Sequence, residues 1–237
     1  MARRFAAVLQ AMDAAIAARG LAGGAAFLLE RFSGPVRFEG LDAVPPTGSL
    51  LAVANHPGTV DTPLLWQALA VREDLRVVAL DRPVLKALPA LAARLLYVPD
   101  EVADRTRLVR LAADHLRAGG ALLTFPAGTV EPDPALRPTD ALTSLASWSR
   151  SPELFARLAP VTVLPIAVSG VISPHALTLP LARFRGTTDA RELAAATWQV
   201  LRHDTSIRPV VRIGAAIEGG RGLTATLAAR MAGLLSD

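Results

Sequence analysis

The sequence predicts an α/β fold with a mainly parallel central sheet flanked by helices and preceded by an N-terminal helical hairpin. Short apolar runs alternate along the chain with longer segments of helical periodicity. Most of these apolar runs contain no alternating polar residues, as expected for strands buried on both faces of a sheet. The first 33 residues differ from the rest because they are rich in alanine and interrupted by glycines.

Seven strands are predicted, at Val36–Glu39, Ser49–Ala54, Arg76–Leu80, Leu95–Val98, Ala121–Phe125, Val161–Val168 and Pro209–Ile213. Six helices are predicted between and after them, at Thr62–Arg72, Pro83–Arg94, Val102–Arg117, Asp140–Leu158, Asp189–Arg202 and Leu223–Leu235. Strands joined by helices of this length run parallel, and their ligands usually bind beyond the carboxyl ends of the strands. The segments that directly follow the strands are therefore where a site is expected.

The N-terminal hairpin is predicted to span residues 1–33, with residues 34–237 forming the core of the same single domain. Gly20, Gly23 and Gly24 are expected to end the first helix before a second one at 25–32. The apolar residues of the hairpin are Phe5, Val8, Leu9, Met12, Ile16, Phe27, Leu28 and Leu29. They lie close in sequence to Arg3, Arg4 and Arg31, which suits an anionic membrane surface. A homodimer interface is the alternative use of these apolar residues.

Composition and charge limit the classes of function. The chain has no cysteine, which excludes a disulfide framework, a thiolate metal site and a cysteine nucleophile. Its net charge is +4, and the two ends are basic while the middle is slightly acidic. An alternative to membrane binding is that the arginines are simply solvated surface. We expect no nucleic-acid partner, because neither aromatic platforms nor a dense basic stripe is visible.

Targeting signals are not evident in the sequence. The N-terminus lacks the pattern of a secretory signal, and no run of roughly 20 uninterrupted apolar residues occurs. We therefore expect a cytoplasmic protein without a transmembrane helix, associated peripherally with the inner face of the cell membrane.

Two segments that follow predicted strands carry the candidate chemistry. His56 follows the second strand and precedes Asp61 by five residues, at the start of a predicted helix. A carboxylate bonded to one imidazole nitrogen fixes the tautomer and leaves the other nitrogen free to accept a proton. Phe125-Pro126-Ala127-Gly128-Thr129 follows a later strand, so both segments are expected at the same edge of the sheet. Asp61 alone has a simpler interpretation as a helix cap.

In these segments the chain resembles the phospholipid/glycerol acyltransferase family. Asn55, His56 and Asp61 match its first block, N-H-x-x-x-x-D, and Phe125, Pro126, Gly128 and Thr129 match its third, F-P-E-G-T. Val163-Leu164-Pro165-Ile166 matches its last block, an apolar strand that contains proline. The resemblance implies transfer of a fatty acyl group from an acyl-CoA or acyl-carrier-protein thioester to a hydroxyl acceptor, such as a lysophospholipid or glycerol phosphate. His56 would be the general base and Asp61 its orienting partner, while Asn55, Phe125, Pro126, Gly128 and Thr129 would bind substrate.

No cofactor is implied beyond the acyl thioester as co-substrate. We also expect no metal, because His56 and Asp61 lack a third ligand at recognisable spacing. The sequence shows no nucleophile elbow, phosphate loop or dinucleotide fingerprint that would indicate other chemistry.

Three positions depart from the family pattern on the acceptor side. Ala127 stands where the family has glutamate, Val130 where it has a basic residue, and Glu101 where it has arginine. Arg82 and Arg105 are candidates to bind substrate in place of the missing cations, and Glu131 is a candidate to replace the missing carboxylate. Two alternatives follow: a catalytically impaired lipid- or acyl-chain-binding protein on the same scaffold, or an acyltransferase for a non-phosphate acceptor.

The remaining histidines are less informative. His115 lies on an apolar helical stripe and His203 lies near a helix end, so both are expected to be structural. His175 stays unassigned.

Overall fold

Eight strands form one sheet in the part of the chain that the computed structural model describes, residues 2–99, 101, 105–184, 186–220 and 222–236. They are β1 (Arg37–Glu39), β2 (Leu50–Ala54), β3 (Arg76–Leu80), β4 (Leu95–Val98), β5 (Ala121–Thr124), β6 (Thr162–Ser169), β7 (Val210–Ile213) and β8 (Ile217–Glu218). Their spatial order is β1-β7-β6-β2-β5-β3-β4, and β8 pairs with β6. All pairs are parallel except β6 with β7 and β6 with β8. The predicted α/β fold with a mainly parallel sheet is confirmed.

The continuous apolar runs form strands because both faces of the sheet are covered. All five residues of β2 are buried. Leu50, Ala52 and Ala54 belong to the core on one face of the sheet, and Leu51 and Val53 belong to the core on the other. A strand buried on both sides needs apolar residues at every position.

The described helices are α1 (Ala2–Phe32), α2 (Asp61–Ala68), α3 (Pro83–Lys86), α4 (Pro89–Ala92), α5 (Arg105–Arg117), α6 (Pro138–Ser144), α7 (Ser151–Leu158), α8 (Pro174–Thr178), α9 (Pro180–Arg183), α10 (Thr188–Arg202) and α11 (Leu223–Ser236). Helices α1, α2, α4 and α10 contribute to the core on one face of the sheet. Helices α5, α7 and α11 contribute to the core on the opposite face. Short 3₁₀ turns lie at Leu41–Ala43 and Leu145–Ser147.

Two helices predicted as continuous are divided in the structure. The segment 83–94 forms α3 and α4, because Leu88 between them leaves the helical conformation and Pro89 starts a new helix. The segment 140–158 forms α6 and α7, separated by an extended Trp148. The predicted helix start at Val102 lies outside the described residues, and the described part begins at Arg105.

The N-terminal hairpin is folded differently from the prediction in detail. Helix α1 breaks at Arg19 and Gly20, where Gly20 has φ +66° and ψ −171°. The prediction that Gly23 and Gly24 also break it is wrong, because both lie within the second half of α1. A Cβ atom on Gly24 would lie 2.4 Å from Cγ1 of Ile16, so this glycine lets the two halves pack closely.

The inner face of the hairpin is attached to the core. Met12 and Ile16, predicted for a membrane surface, are each only 3% exposed and pack in the core instead. The buried carboxylate of Asp13 accepts hydrogen bonds from the N–H groups of Leu91, at 2.8 Å, and Ala90, at 3.3 Å, and so caps α4.

The hairpin includes one segment, Phe5–Phe32, that is long and apolar enough to cross a membrane by length and composition alone. The expectation that no segment qualifies was based on uninterrupted apolar runs and missed this one. Helices in the core of a globular protein can have the same length and composition, and α1 is broken at Arg19 and Gly20.

Candidate active site

The two motif segments meet at the carboxyl edge of neighbouring strands. Strands β2 and β5 are parallel, with Val53 paired to Thr124, so the residues that follow each strand emerge side by side. The rings of His56 and Phe125 lie 4.8 Å apart between centroids. The fold thus places the imidazole against the start of the 125–129 turn.

His56 and Asp61 form a hydrogen-bonded pair. His56 Nδ1 lies 2.6 Å from Asp61 Oδ2, and the same carboxylate oxygen accepts the N–H of Gly58 at 3.1 Å. The other oxygen, Oδ1, accepts the N–H of Thr62 at 2.5 Å. Asp61 is the first residue of α2 and is fully buried, so it both satisfies the helix N-terminus and orients the imidazole. This arrangement leaves Nε2 of His56, whose side chain is 29% exposed, as the nitrogen available to a substrate.

The surroundings of His56 increase its affinity for a proton. Burial alone lowers the pKa of His56, but the charge and hydrogen bond of Asp61, together with the charge of Glu131, outweigh this effect and raise the pKa above its ordinary value. A histidine with a raised pKa is a stronger base once it is neutral.

Asn55 has a role in the structure that differs from the predicted one. Its side chain is 1% exposed, and its amide exchanges two hydrogen bonds with the backbone of Val168, at 2.9 and 2.8 Å. Asn55 thus ties the end of β2 to β6. This geometry favours a positioning role for Asn55 over the predicted contact with substrate.

The 125–129 turn is closed by a hydrogen bond from the Gly128 N–H to the Phe125 carbonyl, at 3.1 Å. Gly128 has φ +67°, whereas a Cβ there would meet nothing within 4 Å. Glycine suits this left-handed backbone conformation, which residues with a side chain rarely adopt. The exposed hydroxyl of Thr129 donates to the Val130 carbonyl at 3.2 Å, and the Pro126 carbonyl accepts the N–H of Ser149 at 2.9 Å.

Glu131 holds the backbone of His56. Its carboxylate accepts the His56 N–H at 2.9 Å, and its own N–H donates to the His56 carbonyl at 2.8 Å. The other carboxylate oxygen accepts from Ser144 Oγ, at 2.9 Å, and from Trp148 Nε1, at 2.7 Å. Burial raises the pKa of Glu131 despite these hydrogen bonds and the nearby His56. The sequence indicated Glu131 only as a replacement for the glutamate missing at 127, and not as a residue that holds the backbone of His56.

Asp133 is a second buried carboxylate that sequence reasoning missed. It is 0% exposed and accepts four backbone N–H groups, from Ala135, Gly170, Val171 and Ile172. Burial raises the pKa of Asp133 although these four bonds act in the opposite direction. Asp133 fixes the loop that follows β6, and the sequence signal for it is an acidic residue in a proline-flanked loop near the strand ends.

A large cavity of about 690 Å³ opens beside His56. Its lining is mostly apolar and comes from α1, α2, α3, α4, β3 and β4, together with Phe125, Gly128, Thr129 and Val130. His56 and the hydroxyls of Thr59, Thr62 and Thr129 are the main polar groups on this wall. The cavity has the size and lining of a site for a hydrocarbon chain with one polar end.

The predicted arginines are not brought to this cavity. Arg82 is exposed at the start of α3, where it bonds the Asp81 carbonyl, and Arg105 is exposed at the start of α5. Neither is among the residues that line the large cavity. Within the described residues, no group of three or more His, Asp or Glu side chains is placed to hold a metal ion.

The other histidines have structural contacts. His115 Nε2 lies 2.9 Å from the Ala121 carbonyl, and burial is the largest factor that lowers the pKa of His115. His203 stacks on Phe32 at the end of α10, and His175 contacts Trp198 edge-on. The predicted structural roles of His115 and His203 agree with these contacts.

Comparison with known proteins identifies a family and a fold. A protein-family model described as Acyltransferase matches residues 35–169, which include both motif segments. No curated protein matches the sequence significantly. Among solved structures, the crystal structure of the 1-acyl-sn-glycerophosphate (LPA) acyltransferase PlsC from Thermotoga maritima is similar, with a TM-score of 0.52 and 15% sequence identity. The match covers 100% of this chain and 97% of that one, and at this identity it shows the fold alone.

Proposed function

The chain belongs to the acyltransferase family, and on that premise we propose that it moves a fatty acyl group from an acyl-CoA or acyl-carrier-protein thioester to the hydroxyl of a lysophospholipid or glycerol-phosphate type of acceptor. One observation carries the proposal: a histidine oriented by a buried carboxylate, with Nδ1 and Oδ2 2.6 Å apart, lies at the wall of a 690 Å³ apolar cavity. The base and the chain-binding space are therefore contiguous.

His56 acts as general base in this mechanism. Nε2 removes the proton from the acceptor hydroxyl while the oxygen attacks the thioester carbonyl carbon. The C–O bond forms, a tetrahedral oxyanion develops, and the C–S bond then breaks. The departing thiolate takes the proton back from Nε2. Asp61 stabilises the imidazolium that exists between these two transfers.

The 125–129 turn supplies the surface against which the carbonyl reacts. Phe125 contacts the imidazole face, and Thr129 and Gly128 line the same cavity wall. In this proposal, the Thr129 hydroxyl and backbone N–H groups of the turn donate to the developing oxyanion. A thioester is already activated, so base catalysis and positioning are sufficient without a covalent intermediate.

Thiol release tests the proposed function. Wild type and His56→Ala are incubated with a panel of acyl-CoA and acyl-carrier-protein donors, with and without acceptors. We expect the substitution to lower kcat about 10²–10⁴-fold, with a much smaller effect on donor binding. Equal rates for the two proteins would reject His56 as the base. Binding of the donor without thiol release by wild type would identify a lipid-binding protein instead.

We further propose that the mouth of the large cavity faces an anionic membrane. Phe5, Leu80, Val84 and Val130 all line the cavity, yet they are between 43% and 51% exposed, so they form an apolar rim. A triple variant with aspartate at Phe5, Val84 and Val130 should lose sedimentation with phosphatidylglycerol vesicles. Val71 and Leu154, which are 53% and 42% exposed and do not line the cavity, are the matched controls.

The same variants distinguish membrane binding from a homodimer interface at the apolar rim. If the triple variant still sediments with vesicles but changes from dimer to monomer in analytical ultracentrifugation, the rim is a subunit interface and the membrane proposal is wrong.

A further inference from the structure

A second apolar cavity adjoins the large one. Its volume is about 350 Å³, and it lies between the hairpin, the segment that follows His56, and α10. Its lining residues are Phe5, Val8, Leu9, Leu28, Phe32, Thr59, Val60, Pro63, Thr197, Val200 and Leu201. We call it the small cavity. Among the described residues that line it, only Thr59 and Thr197 have polar side chains.

The two cavities share part of their lining. Phe5, Leu9, Leu28, Thr59 and Pro63 contribute to both, so the cavities adjoin along these side chains. Both also reach the short segment that carries Asp61. His56 and Phe125, in contrast, line the large cavity alone.

This difference in lining assigns different occupants to the two cavities. The carbonyl carbon of the chain being transferred must lie at His56, so that chain fits the large cavity. The small cavity approaches the catalytic segment without including the imidazole in its wall. It therefore suits an apolar group a few atoms away from the reacting hydroxyl.

We infer that the small cavity binds the hydrocarbon chain that the acceptor already carries. The inference rests on the proposed transfer to a lipid acceptor and adds that the two chains lie in separate compartments on the two sides of Phe5, Leu9 and Leu28. Two chains and one hydroxyl must meet at one base, and separate compartments keep both chains out of water during the reaction. Burial of each methylene corresponds to about a fourfold change in binding. The chain of the acceptor, and not only its headgroup, then determines how tightly it binds.

Variants that fill the small cavity test the inference. Val8, in α1, and Val200, in α10, both line it and do not line the large cavity. Val8→Trp and Val200→Trp should each raise the KM of a long-chain acceptor at least about tenfold. The KM of the donor, and the rate with a butyryl form of the same acceptor, should stay unchanged. The acceptor is the one that gives the highest thiol release in the panel, and circular dichroism with Tm verifies folding of each variant.

Ala79→Leu is the matched control in the other compartment. Ala79 lines the large cavity alone, so this variant should alter the preference for donor chain length and leave the KM of the long-chain acceptor unchanged. If Ala79→Leu instead raises the KM of the long-chain acceptor, while Val8→Trp and Val200→Trp alter the preference for donor chain length, the two assignments are exchanged and the inference is overturned.

Other outcomes also overturn it. Suppose that Val8→Trp and Val200→Trp fold but raise the KM of the long-chain and butyryl acceptors by the same factor, or change neither KM. The small cavity then does not bind the acceptor chain. The same conclusion holds if glycerol phosphate, which has no chain, is the best acceptor of the wild type. In all of these cases thiol release still depends on His56, which distinguishes them from failure of the proposed function.

Discussion

Asp61→Asn is the substitution that tests the mechanism most directly. The two oxygens of Asp61 accept from separate donors: Oδ2 from His56 and Gly58, and Oδ1 from Thr62. An asparagine must turn its NH₂ group towards one of these sets. If the NH₂ group faces His56, it donates to Nδ1 and holds the imidazole in the tautomer with its hydrogen on Nε2. Nε2 could then no longer accept a proton from the acceptor. If the NH₂ group faces Thr62, it opposes an N–H donor at 2.5 Å.

The expected magnitudes follow from these contacts. Loss of the oriented base should lower kcat about 10²–10⁴-fold in the thiol-release assay. One unsatisfied buried donor should lower the free energy of unfolding by about 1–3 kcal/mol. For a chain of this length that corresponds to a decrease in Tm of about 2–4 °C for each kcal/mol. Both quantities are measured on the same preparation.

Asp133→Asn is the matched control for Asp61→Asn. Asp133 is equally buried and also accepts several N–H groups, but its partners are all backbone atoms of loops. This variant should lose a similar amount of stability and retain kcat within about tenfold of wild type, following the same estimates. If Asp133→Asn lowers kcat as much as Asp61→Asn, the loss reflects general destabilisation and the orienting role of Asp61 is refuted.

Two further predictions concern Glu131, which holds the backbone of His56, and the hairpin. The negative charge of Glu131 helps to raise the pKa of His56. The proposed mechanism requires neutral His56, so activity should be lost as pH falls through that pKa. Glu131→Gln should therefore move this acid limb of kcat/KM to lower pH, and an unchanged limb would contradict the electrostatic role. A Cβ at Gly24 would lie 2.4 Å from Ile16, so Gly24→Ala should destabilise the fold by about 1–3 kcal/mol, measured by thermal unfolding. Gly233→Ala in α11 is the control, because a Cβ there would meet nothing within 4 Å, and it should stabilise the fold by up to about 1 kcal/mol. Equal effects at the two positions would contradict close packing of the hairpin.

The parts of the fold that the sequence predicts well are those decided by local pattern. Each of the seven predicted strands occurs in the structure within one residue at either end. The clearest case is β2, where burial on both faces requires apolar residues throughout. The two-residue strand β8 is too short to give a pattern. Helix boundaries were predicted less well where a single backbone position decides them, as at Leu88 and Trp148.

In the candidate site, too, the sequence predicts contacts between residues close in the chain and misses those between distant ones. His56 and Asp61 are five residues apart, so their contact follows from the geometry of a strand end and a helix start. The bond of Glu131 to the His56 backbone joins residues 75 positions apart, and the bonds of Asn55 to Val168 join residues 113 apart. Such contacts depend on strand order, which periodicity does not determine. For the same reason Arg82 and Arg105, near the motifs in sequence, lie away from the cavity lining.

We predict that the side chain at Val130 affects selectivity for the acceptor headgroup. The carboxylate missing at Ala127 is present at Glu131, but there it is buried and bonded to His56, Ser144 and Trp148, so it is not available to a substrate. At the cavity mouth Val130 is 51% exposed, where the family pattern has a basic residue. Because this side chain offers no cation to a phosphate, we predict little discrimination between a phosphate-bearing acceptor and the corresponding uncharged one.

Val130→Arg tests this selectivity by restoring the cation. An arginine at the mouth would pair with a phosphate through charge-assisted hydrogen bonds, and partial exposure limits the gain to about 1 kcal/mol, or about fivefold in kcat/KM. The ratio of kcat/KM for a monoacylglycerol phosphate to that for the corresponding monoacylglycerol should rise by this factor. Val130→Gln, which is polar but uncharged, is the control and should leave the ratio unchanged. If wild type already prefers the phosphate acceptor and Val130→Arg adds nothing, another cation binds the headgroup and position 130 does not determine the acceptor.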